Sequence, residues 1–156
     1  MRTGSALFAM CLMGATLQAA TDSPAEVSEH AKGAKKVVVA TVTEVESSFD
    51  VNDYGDRLIV SAVSFQVDET LKGNRDAGGV VTVEGGTVGD LTLSVSDMPR
   101  MVKGDRAVLF LNDSPKGGHV PHGRGHGLLK LDGDDRVPGT PLTLDDIRAA
   151  VKGGGK

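Results

Sequence analysis

Hydrophobic and polar positions alternate most cleanly between residues 57 and 73, where Ile59, Val63, Phe65 and Val67 share a face with Ser61, while Leu58, Val60, Ala62, Ser64, Gln66 and Asp68 take the other. That period of two is the period of a β-strand. Residues 37–49 repeat it, with Val37, Val39, Thr41, Thr43 and Val45 on one side and Val38, Ala40 and Val42 on the other. Both sides are apolar at first and only one later, which predicts a strand that begins covered on both faces and ends at a solvated rim. Between the two lie residues 50–56, with Asn52, Asp53 and Gly55 able to take a positive φ, so the strands are expected to form a hairpin.

Shorter strands follow at residues 79–84, 90–95, 106–111 and 127–131. The run Ala107, Val108, Leu109, Phe110 and Leu111 is apolar on both parities and predicts a strand buried on both faces. Residues 114–125 carry Pro115, Gly117, Gly118, Pro121, Gly123 and Gly125 and read as a loop without regular structure. Near the end, Thr143 is placed to cap a short helix with Asp145 and Asp146 in its first turn and Leu144, Ile147 and Val151 on one face. The fold class this predicts is mainly β: a small OB-like barrel or sandwich of about six strands with a short C-terminal helix. One domain is expected over residues 37–151, preceded by a polar tail at 21–36 with a helical turn around 25–31, and followed by a disordered tail at 152–156.

The first twenty residues change the picture of where this domain works. Arg2 precedes an apolar run from Ala6 to Leu17, and Ala19 and Ala20 close it, the order of a secretory signal peptide over residues 1–20. The run is shorter than a transmembrane helix requires. The sequence therefore predicts a secreted or periplasmic protein that has no membrane association once the signal is cleaved. Cys11 is the only cysteine and lies within the signal, so the mature chain is expected to hold no thiol, disulfide or cysteine zinc site. A net charge of −4 in 156 residues and the absence of tryptophan argue against nucleic acid as a partner, which calls for a basic footprint or stacking aromatics.

The phrases VVVATVTEVE, VSFQVDETLKG, VTVEGG, VKGDRAVLFL and HGLLKL occur in that order between residues 35 and 131. Together they resemble exported bacterial β domains of OB-like barrel type, distantly similar to netrin-like domains and to the N-terminal domains of tissue metalloprotease inhibitors. The resemblance implies an exported barrel in which Gly73 and Gly104 turn the chain and Leu71 and Phe110 lie in the core. Inhibitors of that class set an N-terminal cysteine on their target's catalytic zinc and are stapled by disulfides. This chain has neither feature, so no functional residue carries over.

Candidate chemistry is concentrated in GGHVPHGRGHG. His119, His122 and His126 lie within eight residues there and form a candidate Zn²⁺ or Cu²⁺ site, since imidazole suits both ions and a glycine-rich loop can fold around one. Against convergence, an extended backbone sends His119 and His122 to opposite faces, and Arg124 adds a repelling charge. LDGDDR at residues 131–136 opens like a calcium loop but has Val137 and Thr143 where such a loop needs glycine and glutamate, and it reads as a hairpin turn. Ser114 and His119 have no GxSxG or SxxK frame around them. Glu44, Glu46, Glu69 and Glu84 read as charges beside strands that discourage edge pairing. The expectation is a non-catalytic binding or structural module that meets an extracytoplasmic protein partner through a sheet edge or the loops at 50–56 and 114–125. A metal-binding protein and a protease-inhibitor-like domain are the alternatives.

Overall fold

The computed structural model describes residues 23–154. The signal-peptide assignment over residues 1–20 lies outside them. The chain runs α1 (Pro24–Gly33), β1 (Lys36–Val51), β2 (Arg57–Lys72), β3 (Gly78–Glu84), β4 (Gly86–Val88), β5 (Leu91–Leu93), β6 (Arg106–Asp113), β7 (His119–Pro121), a 3-10 turn (Arg124–Gly127), β8 (Leu128–Leu131) and α2 (Leu144–Gly154). It is mainly β, as the alternation predicts. The main sheet has six strands in the order β1-β2-β3-β7-β6-β8, and β4 and β5 form a separate two-stranded ribbon.

An additional pairing of β1 with β6 brings the strand order back to its start, so β1, β2, β3, β7 and β6 follow one another as a ring of neighbours. The link between β3 and β7 is a single parallel bridge, Val81 to His119, while the other pairs in the ring are antiparallel. The first half of β1 and most of β6 therefore separate two apolar layers. Val38, Ala40, Val42, Leu109 and Leu111 pack inside the ring with Val63, Phe65 and Val81. Val37, Val39, Val108 and Phe110 point outward and are covered by Val27 and Ala31 of α1 and by Leu144, Ile147 and Val151 of α2. This explains why those strands are apolar on both parities.

Val45 departs from the expected facing. It packs with the ring interior alongside Val38, Ala40 and Val42, because the β1–β2 register shifts between Val42 and Glu44. Thr43 is the extra residue, and a one-residue bulge inverts the facing of everything after it. From there Val45 pairs with Val63, Ser47 with Ser61 and Phe49 with Ile59.

The polar stretch before β1 is a ten-residue helix rather than a tail with one turn. Its start is a capping box: Glu26 N–H donates to Ser23 Oγ at 3.3 Å and Ser23 N–H to Glu26 Oε2 at 2.7 Å. Its end is capped from another element, since Lys72 Nζ on β2 donates to the carbonyls of Ala31 at 2.7 Å and Ala34 at 2.6 Å. Helix α2 starts as expected, with Asp146 N–H donating to Thr143 Oγ1 at 3.2 Å and Thr143 N–H to Asp146 Oδ2 at 2.9 Å. It continues through Gly154, where a disordered tail was expected. Arg148 fastens it to β2 through Glu69 Oε2 at 2.6 Å. The stretch expected to be an irregular loop at 114–125 contains β7, because His119 to Pro121 pair with the last three residues of β6.

Candidate functional site

Of the three candidate ligands, His119 lies on one side of β7, and His122 and His126 gather about His30 on the other. His119 lies beside Phe65, with ring centroids 6.2 Å apart, and its Nδ1 is 4.0 Å from Asp113 Oδ1. His122 emerges from the other face and points toward α1. There its ring stands 5.9 Å from that of His30, while His126 stacks on His30 at 5.6 Å with the planes 9° apart. Phe110 completes the group with its edge-on contact to His30 at 6.4 Å. The loop thus encloses the one histidine that the sequence reading left out. His30 shares a helical face with Val27, Ala31 and Ala34, and that i, i+3, i+4 spacing was the available signal.

Hydrogen bonds assign the tautomer of His122. Lys35 N–H donates to Asn112 Oδ1 at 3.0 Å, so the amide nitrogen of Asn112 faces His122 Nδ1, also at 3.0 Å, and Nδ1 accepts. The proton of the neutral ring is then on Nε2, which lies so close to Gly33 that a Cβ there would collide with it. His122 is thus held by Asn112 of β6 through Nδ1, with the Nε2 edge of its ring packed against Gly33 at the end of α1. Among the described residues no three histidine, cysteine, aspartate or glutamate side chains are arranged to hold a metal ion.

Arg124 bridges this loop to the other side of the ring. From a backbone φ of 58° it donates through Nε to Asp97 Oδ2 at 2.6 Å and through Nη2 to Glu84 Oε2 at 2.9 Å. The guanidinium holds the Asp97 carboxyl below the usual aspartate range, and the two carboxylates push the arginine's own pKa upward. Glu69 is likewise paired with Arg148. In the 131–136 segment the Asp132 Oδ1 accepts from the backbone N–H groups of Asp134 and Arg136, both at 2.9 Å, which is a turn closed by its own carboxylate. Ser114 Oγ accepts from Lys116 N–H at 3.2 Å in a similar local turn.

Two further features have the character of binding surfaces. One is a cleft of about 550 Å³. Its floor is the inner face of β1, β2 and β3 at Val45, Ser47, Ser61, Val63 and Val83, and its walls are the β4–β5 ribbon and residues 94–103. The floor carries a directional chain of hydroxyls. Ser61 Oγ donates to the Gly85 carbonyl at 2.7 Å, so the 2.9 Å contact between the two serines must use the proton of Ser47. Thr87 N–H donates to Ser47 Oγ at 3.4 Å. Gly86, at φ 141°, passes directly over the pair, where a Cβ would collide with both hydroxyl oxygens.

The other feature is an exposed apolar patch where the β1–β2 hairpin meets the β4–β5 ribbon. Tyr54 is 91% exposed, Leu91 61%, Val51 54% and Phe49 39%. Phe49 and Leu91 line one shallow depression with Ile59 and Leu93, and the Arg57 guanidinium sits 3.9 Å above the Phe49 ring. The alternation predicted the hairpin but not that its far end keeps large apolar side chains in water.

No family model and no curated protein matches this chain. Among the described residues no helix is long and apolar enough to cross a membrane.

Proposed function

We propose that this chain is an exported, non-catalytic binding module that meets another extracytoplasmic protein through the far end of its β1–β2 hairpin. The observation that carries this is the cluster of Phe49, Val51, Tyr54 and Leu91 in solvent. Apolar patches of that kind mark association surfaces, and aromatic anchors contribute most where partners meet. The rim carries Asp50, Asp53 and Asp56, of which Asp50 is paired with Lys116 at 2.8 Å. A polar rim around an apolar centre is the usual anatomy of an interface.

Export is supported by the Arg2, apolar run and Ala19–Ala20 order of the N-terminus. The OB-like reading of the barrel is supported by the five-strand ring with its single β3–β7 bridge, which matches a partly open barrel of that type. The non-catalytic reading is supported by the engagement of Glu69 and Glu84 with arginines and of Asp132 with its own turn.

A photo-crosslinking residue placed at Val51, in cells that make the full chain, tests the proposal. A discrete adduct is expected from Val51, absent when the same probe replaces Asp134 in the turn after β8, and lost when Phe49 and Leu91 are both changed to serine. Equal adducts from both positions, or none from Val51 in protein recovered from the extracytoplasmic fraction, would overturn it. Protein retained in the cytoplasm would overturn the export part alone.

A further inference from the structure

We infer that the cleft between the β1–β2–β3 floor and residues 94–103 binds the carboxyl-terminal end of a short apolar peptide. The cleft adjoins the hairpin patch across the β4–β5 ribbon, where Thr92 and Leu93 line both, but the inference does not depend on the hairpin's partner. A volume of about 550 Å³ falls within the roughly 300–1,000 Å³ of small-ligand sites. Three properties of the lining specify what fits.

The first is the polarity of the floor. Both hydroxyl protons are consumed within the chain from Ser47 through Ser61 to the Gly85 carbonyl. A hydroxyl oxygen has two lone pairs, and Thr87 N–H uses one on Ser47. The other is left to accept. The floor therefore selects a ligand with an N–H or O–H to donate and disfavours one that only accepts.

The second is the apolar lining. Val45, Val63 and Val83 rise from the sheet, and Met98 and Met101 face them from the connection. Methionine side chains re-pack around different shapes, so these walls suit side chains of varied outline.

The third is charge. Arg100 and Lys103 line the cleft on the side of the connection, and no ion pair engages either side chain among the described residues. Glu84 is neutralised by Arg124. Glu44, on β1, remains as a lone carboxylate. A ligand anion is drawn toward Arg100 and Lys103, the two cations of the lining that no ion pair neutralises. A peptide end joins all three requirements: backbone N–H donors, apolar side chains and one terminal carboxylate. A fatty acid supplies no N–H, and a free amino acid supplies little apolar area.

The test uses two pools of acetylated tetrapeptides, randomised over alanine, valine, leucine and phenylalanine, one ending in a free carboxylate and the other in an amide. Each is titrated into the isotope-labelled protein and followed by NMR. The acid pool is expected to shift the resonances of Ser47, Ser61, Val83 and Met98 saturably, and the amide pool to need about tenfold more peptide, the loss expected for one charge-assisted contact. A folded Arg100→Met, Lys103→Met double variant should bind both pools alike. Ser47→Ala should weaken both pools by a similar factor and leave their ratio unchanged. Absence of saturable shifts, equal binding of acid and amide by the unaltered protein, or shifts confined to the hairpin end would each overturn the inference.

Discussion

Arg124 grips Asp97 through two hydrogen bonds, Nε to Oδ2 at 2.6 Å and Nη2 to Oδ1 at 3.2 Å, while its own backbone sits at φ 58°. The ion pair and the backbone thus pull in opposite directions, because a left-handed residue with a Cβ costs about 1–2 kcal/mol. Arg124→Met loses the pair and keeps the strain, whereas Arg124→Gly loses the pair and relieves the strain. The glycine variant is expected to be the more stable of the two by about 1 kcal/mol, measured by urea unfolding. Equal stability would show that the αL backbone stores no strain here.

The same pair makes stability depend on pH. Asp97 is held below its unfolded pKa chiefly by the hydrogen bond from Arg124. A carboxyl depressed in this way stabilises the folded state above its unfolded pKa, about 3.9. That contribution disappears as the pH falls through the lower folded value. Unfolding midpoints measured below pH 4 should therefore fall less steeply in Arg124→Met than in the unaltered protein.

Gly125 and Gly133 should respond to alanine in opposite ways. A Cβ on Gly125 would land on the Asp97 carbonyl, whereas one on Gly133 meets nothing within 4 Å. Gly125→Ala must move one of two backbone segments and is expected to cost about 2–4 kcal/mol. Gly133→Ala should be neutral or stabilise by up to about 1 kcal/mol through the unfolded chain. Thermal unfolding of the two variants side by side checks this.

Ser61 is 5% exposed. Its removal deprives the Gly85 carbonyl of a donor and Ser47 of an acceptor. Ser61→Ala is expected to destabilise by about 1–3 kcal/mol, the cost of stranding buried polar groups. Ser47 is only half-buried and opens on the cleft, so water can replace it and Ser47→Ala should cost less. The reverse order in chemical denaturation would contradict the direction assigned to the hydroxyl chain.

Ile147 is fully buried between α2 and the outer face of the sheet. Ile147→Ala should cost about 2–5 kcal/mol. If α1 and α2 cover the sheet as one layer, the same change should also raise amide exchange at Val27 and Ala31. Loss of protection in α2 alone would separate the two helices.

The doubled apolar parity of β1 and β6 was readable because a strand covered on both faces needs apolar side chains on both. The capping residue Thr143 was readable because capping is decided within four residues of chain. The facing of Val45 was not, since nothing in ATVTEVE marks Thr43 as the extra residue. That bulge follows from fitting β1 against β2 and β6 at once. Helix α1 was also obscured, because its cohesion comes from elsewhere: Lys72 on β2 holds its last carbonyls, and His122 and Phe110 pack on it.

For the candidate sites the division is sharper. Spacing brought His119, His122 and His126 to notice, but their grouping depends on which side of β7 each leaves, and β7 forms by pairing with β6 and β3. The serine chain and the cleft above it join residues from β1, β2 and β4, far apart in the chain. Local alternation and capping, which act over a few residues, determined the longer strands, the first hairpin and the last helix from sequence alone. Contacts between distant segments decided the ring, the bulge, the histidine group and the cleft, because loop closure and close packing assign each of those places only when the whole domain has folded.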